Sequence, residues 1–335
     1  MQAQRAISLL TDSDIPLLPL LEEAFRVRQQ YFGRRVMIHI INNVQNGYCP
    51  EDCGYCAQGK KSTTPIAAYG MKSDEEILAE AKSAYERGAY RYCMVLSGRG
   101  PTPTKVERLS RLIRTIKAQY NLRICVSAGI LDAPSAKALK DAGLDRYNHN
   151  LNTASDHYAK ICSTHTYEDR LTTVRNAQNA GIEACSGVIV GLGESPREVV
   201  ELATQFCELG VKSIPINFYI PVPGAPLAAT PLTPEYCLRV LCVFRLLNPD
   251  AEIRVAAGRE LHLRSMQVMA FYPANSLFLD GYLNVKGSHL QATLQMLRDG
   301  GFEIESEWSL DDLLQTETIP TEIPLKSAAD LHPVS

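Results

Sequence analysis

Three cysteines fall within eight residues of the chain, in the run Cys49-Pro-Glu-Asp-Cys53-Gly-Tyr-Cys56. Three thiolates on one loop can hold three corners of a cuboidal iron–sulfur cluster, which leaves the fourth iron open to bind and activate a small molecule. Structural zinc sites pair such a motif with a second Cys or His pair elsewhere, and this chain has no second C-x₂-C or H-x₃₋₅-H pair. The spacing therefore predicts a [4Fe–4S] cluster on Cys49, Cys53 and Cys56.

This spacing after an apolar strand resembles that of the radical S-adenosylmethionine (SAM) enzymes. The resemblance implies that the open iron chelates the amino and carboxylate groups of SAM. It also implies that SAM is split reductively to a 5′-deoxyadenosyl radical. Under this interpretation Cys49, Cys53 and Cys56 are catalytic residues as well as metal ligands.

Composition narrows the class of protein. The 335 residues are 45% hydrophobic and 21% charged, which is typical of a soluble globular protein with a large core. A net charge of −3 without long basic clusters argues against a nucleic-acid surface. The chain shows neither a signal peptide nor an apolar run of the roughly 18 residues that a membrane span needs. Ten cysteines in such a chain indicate reduced thiols and metal ligands, and we expect a cytoplasmic protein.

The elements that must position these residues alternate between strand and helix. Ser73, Ser195 before Pro196, and Thr233 before Pro234 mark three helix starts. Eight strands alternating with helices predict an α/β fold, a (β/α)₈ TIM-type barrel over 34–305, with a helical N-terminal extension over 1–33. A polar tail, 306–335, is expected to be loosely ordered. The predicted strands are Arg35–Asn42, Arg91–Ser97, Leu122–Ala128, Asp145–Leu151, Glu183–Val190, Lys212–Ile220, Glu252–Ala257 and Ser276–Leu279.

Several predicted strands carry polar or small residues on one face and apolar residues on the other. Side chains alternate between the two faces of a strand, and the face toward the helices must be apolar. We therefore expect the polar set to point into the barrel and to line a cavity for a polar ligand. That set includes Arg123, Cys125, Ser127, Asn148, Asn150, Asn152, Ser213 and Asn217.

Three further cysteines, Cys93, Cys125 and Cys185, fall on inward positions of three different strands, and Arg254 falls on a fourth. A buried guanidinium group requires an anionic partner, and a thiolate-ligated cluster is anionic. The four residues together favour a second metal site over buried apolar thiols. Cys162, Cys207, Cys237 and Cys242 have no such partners, and we expect Cys207 and Cys242, within amphipathic helices, to be structural.

Six runs resemble the biotin synthase family of radical SAM enzymes, over roughly residues 20–305. The resemblance implies a homodimer that inserts sulfur between C6 and C9 of dethiobiotin. It also implies that Cys93, Cys125, Cys185 and Arg254 hold a [2Fe–2S] cluster whose sulfide is the sulfur donor, which makes Arg254 a catalytic residue as well as a ligand. The runs are Gly47–Gln58, Tyr147–Leu151, Thr164–Arg170, Cys185–Glu194, Ser213–Asn217 and Ala257–Glu260.

The same resemblance implies roles for further residues. Tyr55 would lie beside the adenine of SAM, Asn152 would reach the ribose, and Arg170 would reach the carboxylate. The run Gly187-Val-Ile189-Val-Gly191 would support the adenine through backbone contacts. Asn150 and Asn217 would hold dethiobiotin, since an amide offers both a donor and an acceptor to a cyclic urea. A flavodoxin-like or ferredoxin-like protein would supply electrons.

The chain departs from the family pattern at three places. Asn152 stands where Asp is frequent, Gly59 where Ser is usual, and Leu283-Asn284-Val285 where a Thr pair commonly meets the substrate carboxylate. Two other interpretations stay open from the sequence. One is another radical SAM enzyme of the same architecture, of the hydrogenase-maturation or methylornithine-synthase type. The other is a non-catalytic metal-binding scaffold.

Overall fold

The computed structural model describes residues 1–314. Eight parallel strands form a closed barrel, and one of the eight is interrupted and therefore counted as two short strands. Neighbouring strands pair in parallel around the ring, and β9 pairs with β1 to close it. The predicted (β/α)₈ barrel is confirmed. Its strands are β1 (Arg35–Gln45), β2 (Arg91–Leu96), β3 (Arg123–Ser127), β4 (Arg146–Asn148), β5 (Glu183–Cys185) continued by β6 (Val188–Val190), β7 (Ser213–Phe218), β8 (Glu252–Val255) and β9 (Ser276–Phe278).

Helices cover the outside of the barrel. Ser73 and Ser195 each form a capping box with the glutamate three residues later, and Thr233 accepts a hydrogen bond from the Tyr236 backbone N–H, so the three predicted helix starts are observed. The helices are α1 (Ala3–Thr11), α2 (Leu17–Phe32), α3 (Asp74–Glu86), α4 (Pro103–Gln119), α5 (Ala133–Asp141), α6 (Ser155–Ile161), α7 (Tyr167–Asn179), α8 (Pro196–Glu208), α9 (Pro234–Leu247), α10 (Arg259–Leu263) with a 3₁₀ turn (Arg264–Phe271), α11 (Leu290–Asp299) and α12 (Leu310–Leu313).

The predicted N-terminal extension consists of α1 and α2, which pack on α8 and α9. Buried arginines fasten it to the barrel through backbone carbonyls. Arg28 on α2 donates to the carbonyls of Ala274 and Arg35, at 2.9 and 2.8 Å. Arg239 on α9 donates to the Leu9 carbonyl at 3.0 Å. The extension is therefore bound to the outer helical layer and to one end of the barrel.

The C-terminal part departs from a simple barrel. A short hairpin, β10 (Gly281–Tyr282) and β11 (Val285–Lys286), follows β9, and β12 (Glu303–Ile304) adds to the free length of β1. In the segment predicted as a polar tail, α12 begins with a Ser309 capping box and Trp308 donates to the Tyr85 carbonyl at 3.1 Å. Residues 315–335 of that tail lie outside the described residues. Within 1–314, no helix is long and apolar enough to cross a membrane.

The fifth predicted strand is divided into β5 and β6. The break falls at Ser186 and Gly187, where the backbone passes very close to β7. A Cβ on Gly187 would lie 2.0 Å from the Pro215 carbonyl oxygen, so only glycine fits there. This close approach packs the break between β5 and β6 directly against β7.

Gly187→Ala tests this packing. A new methyl group must push two buried strands apart, and overpacking of this kind lowers the free energy of unfolding by about 1–3 kcal/mol. Urea denaturation followed by circular dichroism measures the change. Gly70→Ala is the control, because no atom lies within 4 Å of its added Cβ. Equal stability of the two variants would contradict the close approach at Gly187.

Candidate functional site

The cysteine loop follows β1 and covers the carboxyl end of the barrel. Its backbone folds on itself and onto α6: Lys60 N–H donates to the Glu51 carbonyl at 2.9 Å, and Gly54 N–H donates to the Ile161 carbonyl at 2.8 Å. A Cβ on Gly59 would lie 3.2 Å from the Cys53 carbonyl oxygen. Glycine at this position, one of the three departures from the family pattern, therefore suits a tightly wound loop.

A cavity of about 290 Å³ opens beneath the loop into the barrel. It brings together residues from both predicted metal sites and both predicted substrate residues. Cys49, Cys53 and Cys56 line it from the loop, whereas Cys93, Cys125 and Arg254 line it from strands. Asn150, Asn152 and Asn217 also face it. Their apolar strand neighbours, including Tyr92, Ile124, Tyr147 and Ile214, lie buried in the core on the opposite face.

The strand cysteines lie at one depth of the barrel. Cys93 and Cys125 are register partners on β2 and β3. Cys185 on β5 lies beside Arg254, whose Nη1 is 3.8 Å from the Cys185 sulfur. Ser213 and Asn148 also contact this sulfur, at 3.4 and 3.2 Å. The barrel therefore places three thiols and one guanidinium group around one space, as the strand pattern predicts.

Both cysteine sets fit iron–sulfur clusters better than single metal ions. Two sulfurs on one zinc ion are at most about 4.6 Å apart, because each Zn–S bond is about 2.3 Å. Within residues 1–314, neither Cys49, Cys53 and Cys56 nor Cys93, Cys125 and Cys185 have all three sulfurs within 4.8 Å of one another. Separated thiols around a shared cavity match a group with several irons, each taking its own ligand.

Arg254 lies above a buried carboxylate, that of Glu252, which the sequence analysis did not identify. Glu252 accepts hydrogen bonds from Arg254 Nη2, from Arg146 Nη1 at 2.6 Å and from Ser276 Oγ at 2.8 Å. His39 Nε2 lies 2.9 Å from it. Glu252 precedes Arg254 by two residues on β8, so the alternation of side chains would have placed it inside the barrel too.

Burial and ion pairing together determine the pKa values of Arg254 and His39 beside Glu252. Burial alone would lower the pKa of Arg254, but the charge of Glu252 outweighs it and raises the pKa above its usual value. Burial, with the Arg254 charge, lowers the pKa of His39 to about 3. His39 is therefore neutral near pH 7, while Arg254 and Arg146 both remain charged around one carboxylate.

Tyr55, Asn152 and Arg170 form one hydrogen-bonded group at the side of the cavity. Asn152 Nδ2 donates to the Tyr55 hydroxyl at 2.5 Å, and Arg170 Nη2 donates to it at 3.2 Å. Arg170 also donates to the Asn150 carbonyl at 2.8 Å. It is 7% exposed, so this helix-start arginine is not a surface charge. Burial raises the pKa of Tyr55 well above its usual value, which keeps its hydroxyl protonated.

The predicted adenine segment is held by backbone hydrogen bonds. Asn152 N–H donates to the Gly187 carbonyl at 2.9 Å, and Ile189 N–H donates to the Asn152 carbonyl at 2.7 Å. Asn152 adopts φ = +70°, a left-handed conformation that asparagine tolerates. Gly191 N–H donates to the Glu194 carboxylate at 2.8 Å. Ile189 lines the cavity, and the flanking glycines shape the strand beside it.

Backbone groups orient the two predicted substrate amides. Asn217 Nδ2 donates to the Val188 carbonyl at 2.9 Å, and its Oδ1 accepts from Ala257 N–H at 3.2 Å. Asn150 Oδ1 accepts from Gly187 N–H at 3.0 Å and from Asn148 Nδ2 at 2.9 Å, which uses both lone pairs of this oxygen. Asn150 therefore keeps its amide hydrogens for a ligand, whereas Asn217 keeps one donor hydrogen and one lone pair.

Cys162 needs a correction, because the sequence analysis found no partners for it. Its sulfur lies 3.7 Å from that of Cys53 and 3.4 Å from His165 Nδ1. Cys53, Cys162 and His165 are close enough to hold a metal ion, but Cys53 belongs to the cysteine loop. We interpret Cys162 and His165 as residues that pack against that loop and do not bind a separate metal ion. The C-x₂-H spacing of Cys162 and His165 in the sequence could have indicated that they lie together.

Two acidic residues fasten the loop to this segment. Asp52 accepts from the backbone N–H groups of Ser163 and Thr164, at 2.8 and 3.1 Å, and pairs with Lys61 at 2.7 Å. Burial would raise the pKa of Asp52, but hydrogen bonds from Lys61 and Ser163 lower it well below its usual value. Glu51 lies 2.5 Å from His165 Nδ1. The Pro-Glu-Asp spacer therefore anchors the loop.

The hairpin of β10 and β11 borders the cavity at the departure from the family pattern. Leu283, Asn284 and Val285 all line the cavity. The Asn284 Oδ1 accepts from Asn46 Nδ2 at 2.9 Å, which ties the hairpin to the end of β1. The amide nitrogen of Asn284 and the backbone of the hairpin supply the polar groups at this edge of the cavity.

Comparisons with known proteins agree with this site. The radical SAM superfamily model matches residues 44–206, and the biotin and thiamin synthesis associated domain matches residues 215–303. The chain is 58% identical to biotin synthase of Magnetococcus marinus, covering 90% of this chain and 95% of that protein. It is 55% identical to biotin synthase of Leptospira biflexa, covering 88% and 84%.

Solved structures show the same fold at low sequence identity. A methylornithine synthase matches with a TM-score of 0.77 and 20% identity, over 90% of this chain and 93% of that one. An FeFe-hydrogenase maturase from Carboxydothermus hydrogenoformans matches with a TM-score of 0.78 and 18% identity, over 93% and 77%. With relatives above half identity along most of its length, the chain belongs to the biotin synthase family of radical SAM enzymes.

Proposed function

We propose that this chain catalyses the SAM-dependent insertion of sulfur into dethiobiotin, the last step of biotin biosynthesis. The observation that carries the proposal is one cavity with three loop cysteines at its mouth and with Cys93, Cys125 and Arg254 deeper in the barrel, where Cys185 lies buried beside Arg254. Membership of the biotin synthase family supports the same reaction.

The two asparagines stand between the cysteine sets. Asn150 follows Asn148, the register partner of Cys185, by two residues. Asn217 follows Pro215, the register partner of Arg254, by two residues. Because inward side chains recur every second residue, both amides lie one layer above the deeper set. A cyclic urea bound by them would stand next to that set, on the side toward the loop.

The remaining polar groups suit SAM. The Arg170 guanidinium, fixed by the Asn150 carbonyl and the Tyr55 hydroxyl, offers a positive charge to a carboxylate. Asn152 adds an amide for a ribose, and Ile189 offers an apolar surface to adenine. We assign SAM to this side of the cavity and the [4Fe–4S] cluster to Cys49, Cys53 and Cys56.

The deeper set is assigned to a [2Fe–2S] cluster held by Cys93, Cys125, Cys185 and Arg254. When bound, the first cluster with SAM supplies a 5′-deoxyadenosyl radical, and the second supplies sulfur. The chain itself must hold the substrate between them and keep the site closed, which limits side reactions of the radical. The buried cavity walls and the loop over the mouth do this.

Glu252 acts as a positioning residue for Arg254. It binds the Arg254 guanidinium from below, on the side away from the cavity, while Nη1 faces the Cys185 sulfur. Ser213 Oγ accepts from Nη2 at 2.9 Å and fixes the same group laterally. The guanidinium is thereby pre-oriented toward the deeper cysteines before any cluster binds.

The broader assignments belong to the same proposal. We place the enzyme in the cytoplasm as a homodimer, with a flavodoxin-like or ferredoxin-like electron donor. In domain terms, residues 1–33 form the extension, 34–305 the catalytic barrel and 306–335 the tail. Light scattering after gel filtration tests the dimer, and a monomer mass would contradict it.

The proposed activity is tested by anaerobic reconstitution with iron and sulfide, followed by addition of reductant, SAM and dethiobiotin. We expect 5′-deoxyadenosine and biotin, both identified by mass. Formation of 5′-deoxyadenosine without biotin would indicate another radical SAM reaction. Absence of both from a protein shown to hold its clusters would contradict radical chemistry altogether.

Arg254→Met tests the placement of the second cluster. The loop cysteines keep all their contacts, so the first cluster should form normally, while the visible spectrum of the second should change. Iron and sulfide analysis with absorption and Mössbauer spectroscopy separates the two. Unchanged spectra for both clusters would remove Arg254 from the site.

Glu252→Gln tests the positioning role. The substitution keeps the shape but leaves Arg254 and Arg146 without their carboxylate, and breaking a buried pair costs about 3–5 kcal/mol. We expect the amount of [2Fe–2S] cluster per protein chain to fall at least twofold, while the amount of [4Fe–4S] cluster stays unchanged. Glu183→Gln is the control, since it removes a half-exposed partner of Arg146 only. Equal effects of the two variants would contradict a specific role for Glu252.

A further inference from the structure

A second cavity, of about 770 Å³, opens at the amino end of the barrel, opposite the cysteine loop. Its walls include the first residues of several strands and the loops that precede them. Arg91, Arg146 and Glu252 form its inner end. None of the proposed SAM or dethiobiotin contacts reaches this cavity.

Two buried arginines present unpaired donors at this end. Arg91 is 2% exposed, and its Nε and Nη1 have no hydrogen-bond partner among the described residues. Arg146 is 3% exposed, and its Nε likewise has none there, although its other nitrogens bind Glu183 and Glu252. A buried N–H without a partner is costly, so these three donors require an acceptor.

Around the cavity, Arg91 forms no direct ion pair with a carboxylate of the described residues, although the charge of Glu252 and the thiols of Cys93 and Cys125 act on it. Six lining residues are basic, and the four acidic ones already have partners. Asp145 pairs with Lys117 and Arg123, Asp250 with Lys212, and Glu183 and Glu252 with Arg146. Among residues 1–314, Arg91 and Lys140 form no ion pair. An anion at the inner end would supply the missing acceptor and a direct ion pair for Arg91.

The position of Arg91 connects this cavity with the deeper cysteines. Arg91 and Cys93 are two residues apart on β2 and share the inward face, so one layer of side chains separates the cavity from the strand thiols. His39, Arg146 and Glu252 complete that layer. An anion bound by Arg91 is therefore adjacent to the proposed sulfur-donating cluster.

We propose that the amino-end cavity is a binding site for a small inorganic anion, ligated by Arg91 and Arg146, and that hydrosulfide is the anion it admits. The choice of hydrosulfide rests on the proposed function, in which sulfur leaves the barrel with each product and must be replaced. Hydrosulfide is small enough for a buried guanidinium pocket, and its sulfur has the same oxidation state as the sulfide that is consumed.

Anion binding is measured on the cluster-loaded enzyme, without SAM or dethiobiotin, from the excess ³⁵Cl NMR linewidth of chloride. Sodium sulfide and sodium phosphate are then titrated as competitors. We expect sulfide to remove the excess linewidth at lower concentration than phosphate. Displacement by phosphate but not by sulfide would overturn the assignment of hydrosulfide, while failure of biotin formation would leave the measured binding untouched.

Arg91→Met should reduce the excess linewidth at least threefold, and Arg91→Lys should retain part of it. Arg123→Met is the matched control, because Arg123 lines the same cavity but is 59% exposed on its side chain and paired with Asp145. Equal loss in the Arg91→Met and Arg123→Met variants would indicate general charge attraction and overturn the site.

A second measurement needs no variant. Crystals of the unaltered enzyme soaked in sodium bromide should show an anomalous peak in contact with the Arg91 guanidinium. A well-ordered Arg91 without such a peak would overturn the proposal. If Arg91→Met fails to fold, this experiment decides the question alone.

Discussion

The interior of the barrel depends on one buried carboxylate, that of Glu252. Arg254 and Arg146 both donate to it, and both would otherwise be uncompensated cations in a low-dielectric core. Burial keeps His39 neutral, so it adds no third positive charge, and Arg146 has a second carboxylate partner in Glu183. The charges of Arg254 and Arg146 are thereby paired with carboxylates one layer below the cavity.

Strand alternation made much of this interior predictable. The inward positions of Cys93, Cys125 and Arg254 followed from the polar face of each strand, and the structure brings them together. The same rule would have placed Glu252 inside, since it shares the parity of Arg254, but a single acidic residue at a predicted strand start resembles an ordinary surface charge. The alternation of side chains along a strand predicts which residues point into the barrel. It does not predict which residues of other strands they contact, because that depends on the register between strands.

Residues outside the strands were harder to anticipate. Arg170 opens α7, where an arginine is usually solvated, and it is buried only because α6 and the cysteine loop fold over it. Cys162 meets Cys53 across more than one hundred residues of sequence. Such contacts depend on how the loops pack over the carboxyl end of the barrel. The hydrophobic periodicity of the sequence does not predict that packing.

The fold and the reaction are specified by different residues. Methylornithine synthase and the hydrogenase maturase share this architecture at 18–20% identity, so the barrel alone is compatible with several chemistries. The cysteine loop closes one end of the cavity, and the deeper cysteines stand near the other end, above the charged layer of Glu252 and Arg91. A barrel that contains a consumable sulfur source has reason to be open at both ends. Large organic ligands then use the carboxyl end, and a small anion at Arg91 comes within one layer of side chains of the strand thiols without passing the bound substrate.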